Sequence, residues 1–433
     1  MQPSSTFRFD TILKPGDTVA WPQGTGEPRG LTQRLVAERH KLPVIRLFIG
    51  MTASDTLSPD CADRFEMQGL NGVGTNRRLT AKGVLDITPV HVSTVPKLLR
   101  SGCIAVDVAL IRVRPTGVPN QYTLGVVADY TAALIQAAHC VVAEVDDRLP
   151  LTGHDAVVSG EDIDVLVTAD GDEVLLPDSA PSDVELAVAR NVAAVIPDRA
   201  TIQFGVGGLS AAVSRALFDH RELGVHSGLL SDIFVDLVEK GVVTNSHKGV
   251  DEGVSVTGCL FGTRRLFDHA SNNAAIALRS VEYTHNLAVM SRINSLFTVN
   301  FAIEVDVTGQ VNAELAGGRY LGAVGGQVDF VRGAQYSPGG RSIIALPSTT
   351  PDGKTSRIVA SLAGRPVTTP RSDVDMVITE FGIADLRGAP LSQRLNRLST
   401  IAHPDFRDDL LRGEPSTGPT IVQPKAAVEA SRA

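Results

Sequence analysis

The chain repeats itself, and that repetition limits its architecture more than any single motif does. Gly16-Asp17-Thr18-Val19-Ala20, the turn Gly24-Thr25-Gly26 and the helical stretch Leu31 to Val36 form one set. Asp198 to Phe204, the turn Gly205-Val206-Gly207-Gly208 and the helical stretch Ser210 to Leu217 form another in the same order. Further along, Leu124-Gly125-Val126-Val127-Ala128-Asp129-Tyr130 lines up with Val324-Gly325-Gly326-Gln327-Val328-Asp329-Phe330. Asp162 to Thr168 then lines up with Asp373 to Thr379. Three matches in register favour duplication over chance likeness between two α/β units.

Val108-Ala109-Leu110-Ile111 and Ile343-Ile344-Ala345-Leu346 carry no polar face, the pattern of parallel strands covered by helices on both sides. The class is therefore α/β, with two similar domains. A chain of 433 residues, 43% hydrophobic, exceeds what one core holds, since single cores stop growing at roughly 250 to 300 residues. Pro181-Ser182-Asp183 reads as a helix start and marks the crossing, giving domains over 1–185 and 186–433. The Pro- and Gly-bearing tail after Gly413 has no lasting period.

Asp and Glu (48) outnumber Lys and Arg (40), a net charge of −8 that argues against nucleic-acid partners. Cys61, Cys103, Cys140 and Cys259 show no metal or disulfide spacing and read as buried thiols; no metal is expected. No charged-then-apolar leader and no long apolar run occur, so the expectation is a cytoplasmic protein without membrane contact.

Several segments carry candidate chemistry. Glu304 lies in Phe301-Ala302-Ile303-Glu304-Val305-Asp306-Val307, read as one buried strand, and Gly317, Gly318, Gly322, Gly325 and Gly326 follow closely. A carboxylate on an apolar strand is costly unless used or paired, and glycine-turn amides suit a reacting acyl group. Gly205, Gly207 and Gly208 open a helix and can receive an anion or carbonyl, although neither nucleotide fingerprint is complete. His226-Ser227 invites a hydrolase triad, but the GxSxG elbow is missing. Arg341, Lys354 and Arg357 sit in loops that suit phosphates, and Asp385, Arg387 and Gly388 form a polar loop near the end of the strand Met376 to Thr379.

Thr201 to Val213, His226 to Asn245, Ala302 to Asp306 with Gly309-Gln310-Val311, Gly325 to Phe330, Ser342 to Ser348 and Thr379 to Ala384 resemble the acetyl-CoA hydrolase/transferase family. That family includes 4-hydroxybutyrate CoA-transferases, and the resemblance spans nearly the whole chain; it implies two similar α/β domains with the active site between them. It implies an acyl-CoA:carboxylate CoA-transferase working by ping-pong chemistry through a glutamyl-CoA thioester, with coenzyme A arriving as acyl-CoA and a small carboxylic acid as acceptor. In many relatives the nucleophilic glutamate directly follows the His-Ser pair, and here Gly228 stands in that place.

The resemblance leaves Glu304 as the candidate nucleophile. It gives Gly325 and Gly326 the oxyanion, Gly207 and Gly208 the pantetheine arm or acyl group, and Asn272 or Asn273 an orienting role. Lys354 and Arg357 are the cations for nucleotide phosphates. A thioesterase using Glu304 as general base and a non-catalytic CoA-binding homologue are the alternatives. Pocket walls are expected from Gly24 to Gly26, Met51 to Ser54 and Met67, and the enzyme is expected to be a homodimer.

Overall fold

The computed structural model describes residues 1–412. The tail after Gly413 lies outside them. In the first half seven strands run parallel in the spatial order Leu85–Ile87, Phe65–Gly69, Ile45–Ile49, Thr18–Trp21, Val108–Pro115, Cys140–Val145 and Val165–Thr168. Two antiparallel strands, Gln121–Thr123 and Val157–Ser159, extend from the end of Val108–Pro115. In the second half five strands run parallel in the order Gly224–Val225, Thr201–Gln203, Leu296–Phe301, Arg341–Ala345 and Met376–Thr379. Antiparallel Gly382–Asp385 closes that edge.

The last five strands of the first order match the five of the second one for one, so the duplication seen in the sequence is present in the topology. Both copies pass from the first strand through a glycine turn into a helix, Arg29–Glu38 or Gly208–Ala216. Gly125 and Gly325 both adopt positive φ, +69° and +54°, ahead of the helices Thr131–Ala137 and Gln327–Tyr336. A side chain at either position is strained, which explains the shared glycine.

Each sheet is covered on both faces, as its unbroken apolar strands require. Separate apolar clusters cover the outer face of each sheet, one around Phe9, Leu31 and Leu47, the other around Val305, Ile344 and Val377. The inner faces share one cluster running from Ala109 and Val126 to Ile202, Leu260 and Ile378. A backbone seam crosses it: Ala128 N donates to Gly258 O (2.9 Å), Leu260 N to Val126 O (2.8 Å), and Thr25 Oγ1 to Leu260 O (2.8 Å).

The helix Asp183–Ala193 begins in a capping box, with Ser182 Oγ accepting from Glu185 N (3.3 Å) and Glu185 accepting from Ser182 N (2.8 Å). It packs on Gly208–Ala216 and Met376–Thr379, so the whole helix belongs to the second half and the crossing falls ahead of Asp183. No helix among the described residues is long and apolar enough to cross a membrane.

Three local expectations change. The run Phe301 to Val307 is not one strand: Leu296–Phe301 ends at Phe301, the chain bends, and Glu304–Asp306 joins a separate small sheet with Val311–Asn312 and Ile358–Val359. Arg341 and Arg387 are both bound to Asp375, and Arg341 also to Asp385, because Gly382–Asp385 runs back toward the starts of the parallel strands. These cations and the 385–388 loop thus face away from the strand ends where ligands bind. Cys103 is exposed and Cys140 half-buried, while Cys61 and Cys259 are buried as expected.

Ser182→Ala removes one half of the capping box and is expected to cost about 1 kcal/mol. Thermal unfolding should show a midpoint lower by about 2–4 °C for a unit of this size. An unchanged midpoint would mean the helix start does not limit stability.

Candidate functional site

The carboxyl ends of the two parallel sheets face one another, and a cleft of about 630 Å³ lies between them. Its walls come from the loops after the strands: Gln23, Met51 and Asn71 from the first half, Gly205, Gly228 and Ala302 from the second. This is where parallel α/β sheets bind ligands, because every strand there ends in a loop free of the sheet ladder. A strap at 313–326 crosses from the second half, and Gly72 N donates to Gly322 O (2.8 Å) while Val92 N donates to Gly325 O (3.0 Å). Within it Gly317 and Gly318 form the tip between Leu315–Ala316 and Arg319–Tyr320.

Gly205, Gly228, Gly325, Gly326 and Arg357 all lie on the wall, brought together from segments far apart in sequence. Gly326 caps the helix Gln327–Tyr336, so the positive end of that helix and its unpaired first-turn amides point at the cleft. Gly228 has no side chain to fill the wall; a Cβ there would reach 3.0 Å from His285 Cε1. Gly207 (φ +96°) caps Gly208–Ala216, and Gly208 sits against Glu185; neither reaches the wall.

Other expected residues are elsewhere. Asn272 and Asn273 shape the turn after the helix Arg264–Ala270, where Asn273 bonds His269 O (3.0 Å) and Ala275 N (3.0 Å). Neither approaches Glu304 or the cleft wall. Lys354 is exposed on its turn and also off the wall. Met51 lines the cleft, but Met67 is buried in the first sheet's outer core.

Glu304 is the main correction. Its carboxylate bonds Arg365 Nη1 at 2.7 Å and Asn312 Nδ2 at 3.3 Å, and it is not part of the wall. The bend at Ala302 and Ile303 puts those two residues on the cleft and turns Glu304 into the small sheet behind them. A carboxylate held by a guanidinium is a structural ion pair. The hydrolase triad also fails on geometry: His226 Nε2 meets Thr284 O (2.9 Å), and Ser227 Oγ meets Phe204 O (3.2 Å) and Phe204 N (3.1 Å). Both residues are fully buried behind the wall.

The carboxylate that does line the cleft is Asp129. Its Oδ1 accepts from Tyr130 N (2.6 Å), Thr131 N (3.1 Å) and Thr131 Oγ1 (2.9 Å), and its Oδ2 accepts from Gln23 Nε2 (2.9 Å). Burial pushes this carboxyl up to about 6 even against those hydrogen bonds. Cys259 Sγ lies 3.8 Å from the same Oδ2, and burial and that carboxylate raise the thiol's pKa. His285 stacks on Phe330 with ring centroids 4.6 Å apart, and burial followed by the nearby His226 pushes it down to about 3, so it stays neutral.

Arg77 and Arg357 also face the cleft, one from each half, and neither forms an ion pair among the described residues. Glu304, Glu380 and Glu185 act on Arg357 only at longer range, while burial lowers its pKa. Two unmatched guanidiniums over an apolar wall suit an anion with an apolar body. Among the described residues no group of three or more His, Cys, Asp and Glu gathers to hold a metal.

Asp129 was not among the expected site residues; its place in the repeat 124–130, matched to Asp329 and following a glycine, was the signal that could have found it. Cys259 gave no such signal, because its spacing to other cysteines is uninformative and its partner is 130 residues away.

Residues 8–176 match the acetyl-CoA hydrolase/transferase N-terminal domain, and residues 262–413 match the C-terminal domain of the same family. The chain is 36% identical over 397 residues to the 4-hydroxybutyrate coenzyme A transferase of Clostridium kluyveri, covering 91% of this chain and 92% of that one. It is 32% identical over 414 residues to the butyryl-CoA:acetate CoA-transferase of Anaerostipes caccae, covering 93% of each. Among solved structures, RipA from Yersinia pestis superposes with a TM-score of 0.87 at 31% identity, covering 93% of this chain and 94% of that one. The 4-hydroxybutyrate CoA-transferase from Porphyromonas gingivalis superposes with a TM-score of 0.78 at 33% identity, with the same coverage.

Gly326→Ala places a Cβ 2.3 Å from His285 Nε2 and must push the ring from its place. Overpacking of this kind is expected to cost about 1–3 kcal/mol, visible as a lower thermal midpoint. A midpoint equal to that of the parent would show that the ring moves freely.

Proposed function

Because this chain belongs to the acetyl-CoA hydrolase/transferase family, we propose that it moves coenzyme A between short-chain acyl groups and small carboxylic acids in the cleft between its halves. The observation that carries this reading is the pairing of an apolar wall with two unmatched cations, Arg77 and Arg357. An acyl chain fits the apolar part, and an acceptor carboxylate or a CoA phosphate fits a guanidinium. Amides at the start of Gln327–Tyr336 are placed to hold the thioester oxygen as it gains charge, where loss of one donor typically costs about 10²–10³ in rate. Whether water reaches the activated acyl species is what separates transfer from hydrolysis. A cytoplasmic homodimer goes with this reading.

A ping-pong route through a glutamyl-CoA thioester needs a glutamate on the wall. Gly228 leaves the expected position empty, and Glu304 is engaged by Arg365. Glu304→Gln is therefore expected to keep turnover within about threefold, well short of the 10²-fold loss typical for a catalytic group. A loss of that larger size would return Glu304 to the reaction. Hydrolysis is the second reading, favoured by Asp129, a cleft carboxylate tuned to about 6 and thus able to serve as general base near neutrality. Adding acetate or butyrate separates the two: new acyl-CoA formed from the added acid supports transfer, and free CoA released equally fast without it supports hydrolysis.

Gly228→Glu offers a complementary measurement. The backbone there accepts a side chain once His285 shifts by a few tenths of an ångström, and the new carboxylate points toward the wall. This variant is expected to form a borohydride-sensitive glutamyl-CoA thioester with acyl-CoA; failure to do so would show that the cleft no longer presents the thioester to that position.

A further inference from the structure

Arg357 sits half-buried on the cleft wall, and among the described residues its guanidinium makes no hydrogen bond and no ion pair. A cation partly taken out of water and left unpaired costs free energy that a bound anion recovers. The backbone fixes the residue on both sides, since Arg357 N donates to Ser348 O (2.8 Å) and Arg357 O accepts from Val305 N (2.8 Å). Arg77 is exposed, so hydrated phosphates of CoA reach it at the solvent side. Arg357 is the cation suited to a small carboxylate that must come close to the thioester carbon. It shares its wall with Gly326 and the open start of the helix Gln327–Tyr336. The cleft, about 630 Å³, falls in the roughly 300–1,000 Å³ range of sites that enclose a whole drug-sized ligand.

The wall itself is poor in attacking groups. Among the described residues that line it there is no Glu, Ser, Thr, Tyr or Lys, and Asp129 is its one carboxylate. Four donors, the Tyr130 and Thr131 amides, the Thr131 hydroxyl and the Gln23 amide, already hold the oxygens of Asp129. Cys259 is fully buried, and burial together with Asp129 keeps its thiol protonated. His285, pushed down to about 3, is too weak a base to be a strong nucleophile.

We propose that the attacking group is the acceptor carboxylate itself, held by Arg357, and that it meets the thioester carbon directly while acyl-CoA and acceptor share the cleft. This rests on the reading that the cleft transfers CoA. One acceptor oxygen bonds to the acyl carbon, the C–S bond breaks, and its electron pair leaves on sulfur as CoA thiolate. The product is a mixed anhydride of the two acids, an activated acyl species like the thioester it replaces. The thiolate then attacks the acceptor's carbonyl carbon, a new C–S bond forms, and the first acid leaves as carboxylate. No proton moves, and the chain is never acylated. One oxygen of the acceptor ends on the released acid.

The test holds the full chain in excess over butyryl-CoA, adds acetate labelled with oxygen-18 at both oxygens, quenches in acid, and weighs the released butyrate by mass spectrometry. The expected result is butyrate carrying one heavy oxygen in the first turnover. Initial-velocity lines should intersect when both substrates are varied, and butyryl-CoA alone should leave the intact mass of the chain unchanged. Arg357→Gln should raise KM for acetate by about tenfold or more, as loss of one charge-assisted hydrogen bond does, with KM for butyryl-CoA held within about threefold. Unlabelled butyrate in the first turnover, parallel lines, or an acyl or CoA adduct on the chain overturns direct attack and leaves the CoA-transfer reading standing. An acetate KM unchanged in Arg357→Gln overturns the placing of the acceptor on that residue. Free CoA released equally fast without acetate, or no butyryl-CoA consumed at all, overturns both readings.

Discussion

The site depends on a short backbone seam, residues 126–128 against 258–260, that joins the inner faces of the two halves. Its amides and carbonyls are buried in the shared apolar cluster, where an unmade hydrogen bond costs about 1–3 kcal/mol, so the two segments can sit in only one register. That register sets Val127 opposite Cys259. It also holds the start of Thr131–Ala137, whose first amide donates to Asp129 Oδ1, against the wall. The closest approach of the two chemistries in the cleft, carboxyl and thiol, follows from how the halves are joined and not from either half alone.

Burial governs the electrostatics throughout this region. It raises the carboxyl of Asp129, lowers His285 and His226, and lowers Lys248 to about 8, where the ammonium lies among backbone carbonyls at Val225 and Val254. The result is a wall whose imidazole carries no charge near neutrality. Arg77, which is exposed, and Arg357, which is half-buried, set two guanidiniums on the same wall. Among the described residues, two guanidiniums against the wall carboxylate of Asp129 leave this place with an excess of positive groups in a chain of net charge −8.

The doubled plan was legible because it is written in local patterns: apolar strands, glycine turns and helix starts that need no knowledge of distant partners. The convergence of Gly205, Gly228, Gly325, Gly326 and Arg357 on one cleft was legible for the same reason, since all of them lie at or near strand ends. Glu304 was misread because an acid in an apolar run looks identical whether it faces a cleft or a cation. What decides is the bend at Ala302 and the approach of Arg365, 61 positions later. Asn272 and Asn273 were similarly misplaced: the side-chain amide of Asn273 serves the turn it sits in, and Asn272 N donates to Leu151 O. Cys259 became visible only through a contact between halves, the kind of information that periodicity does not contain.

The shared inner core has a mechanical consequence. Two domains that meet through a polar contact can swing apart like a clamshell, whereas these two are fused along one continuous apolar mass and would have to expose it to separate. The slot between them is a fixed jaw, tied across by the strap at 313–326 through its bonds to Gly72 and Val92.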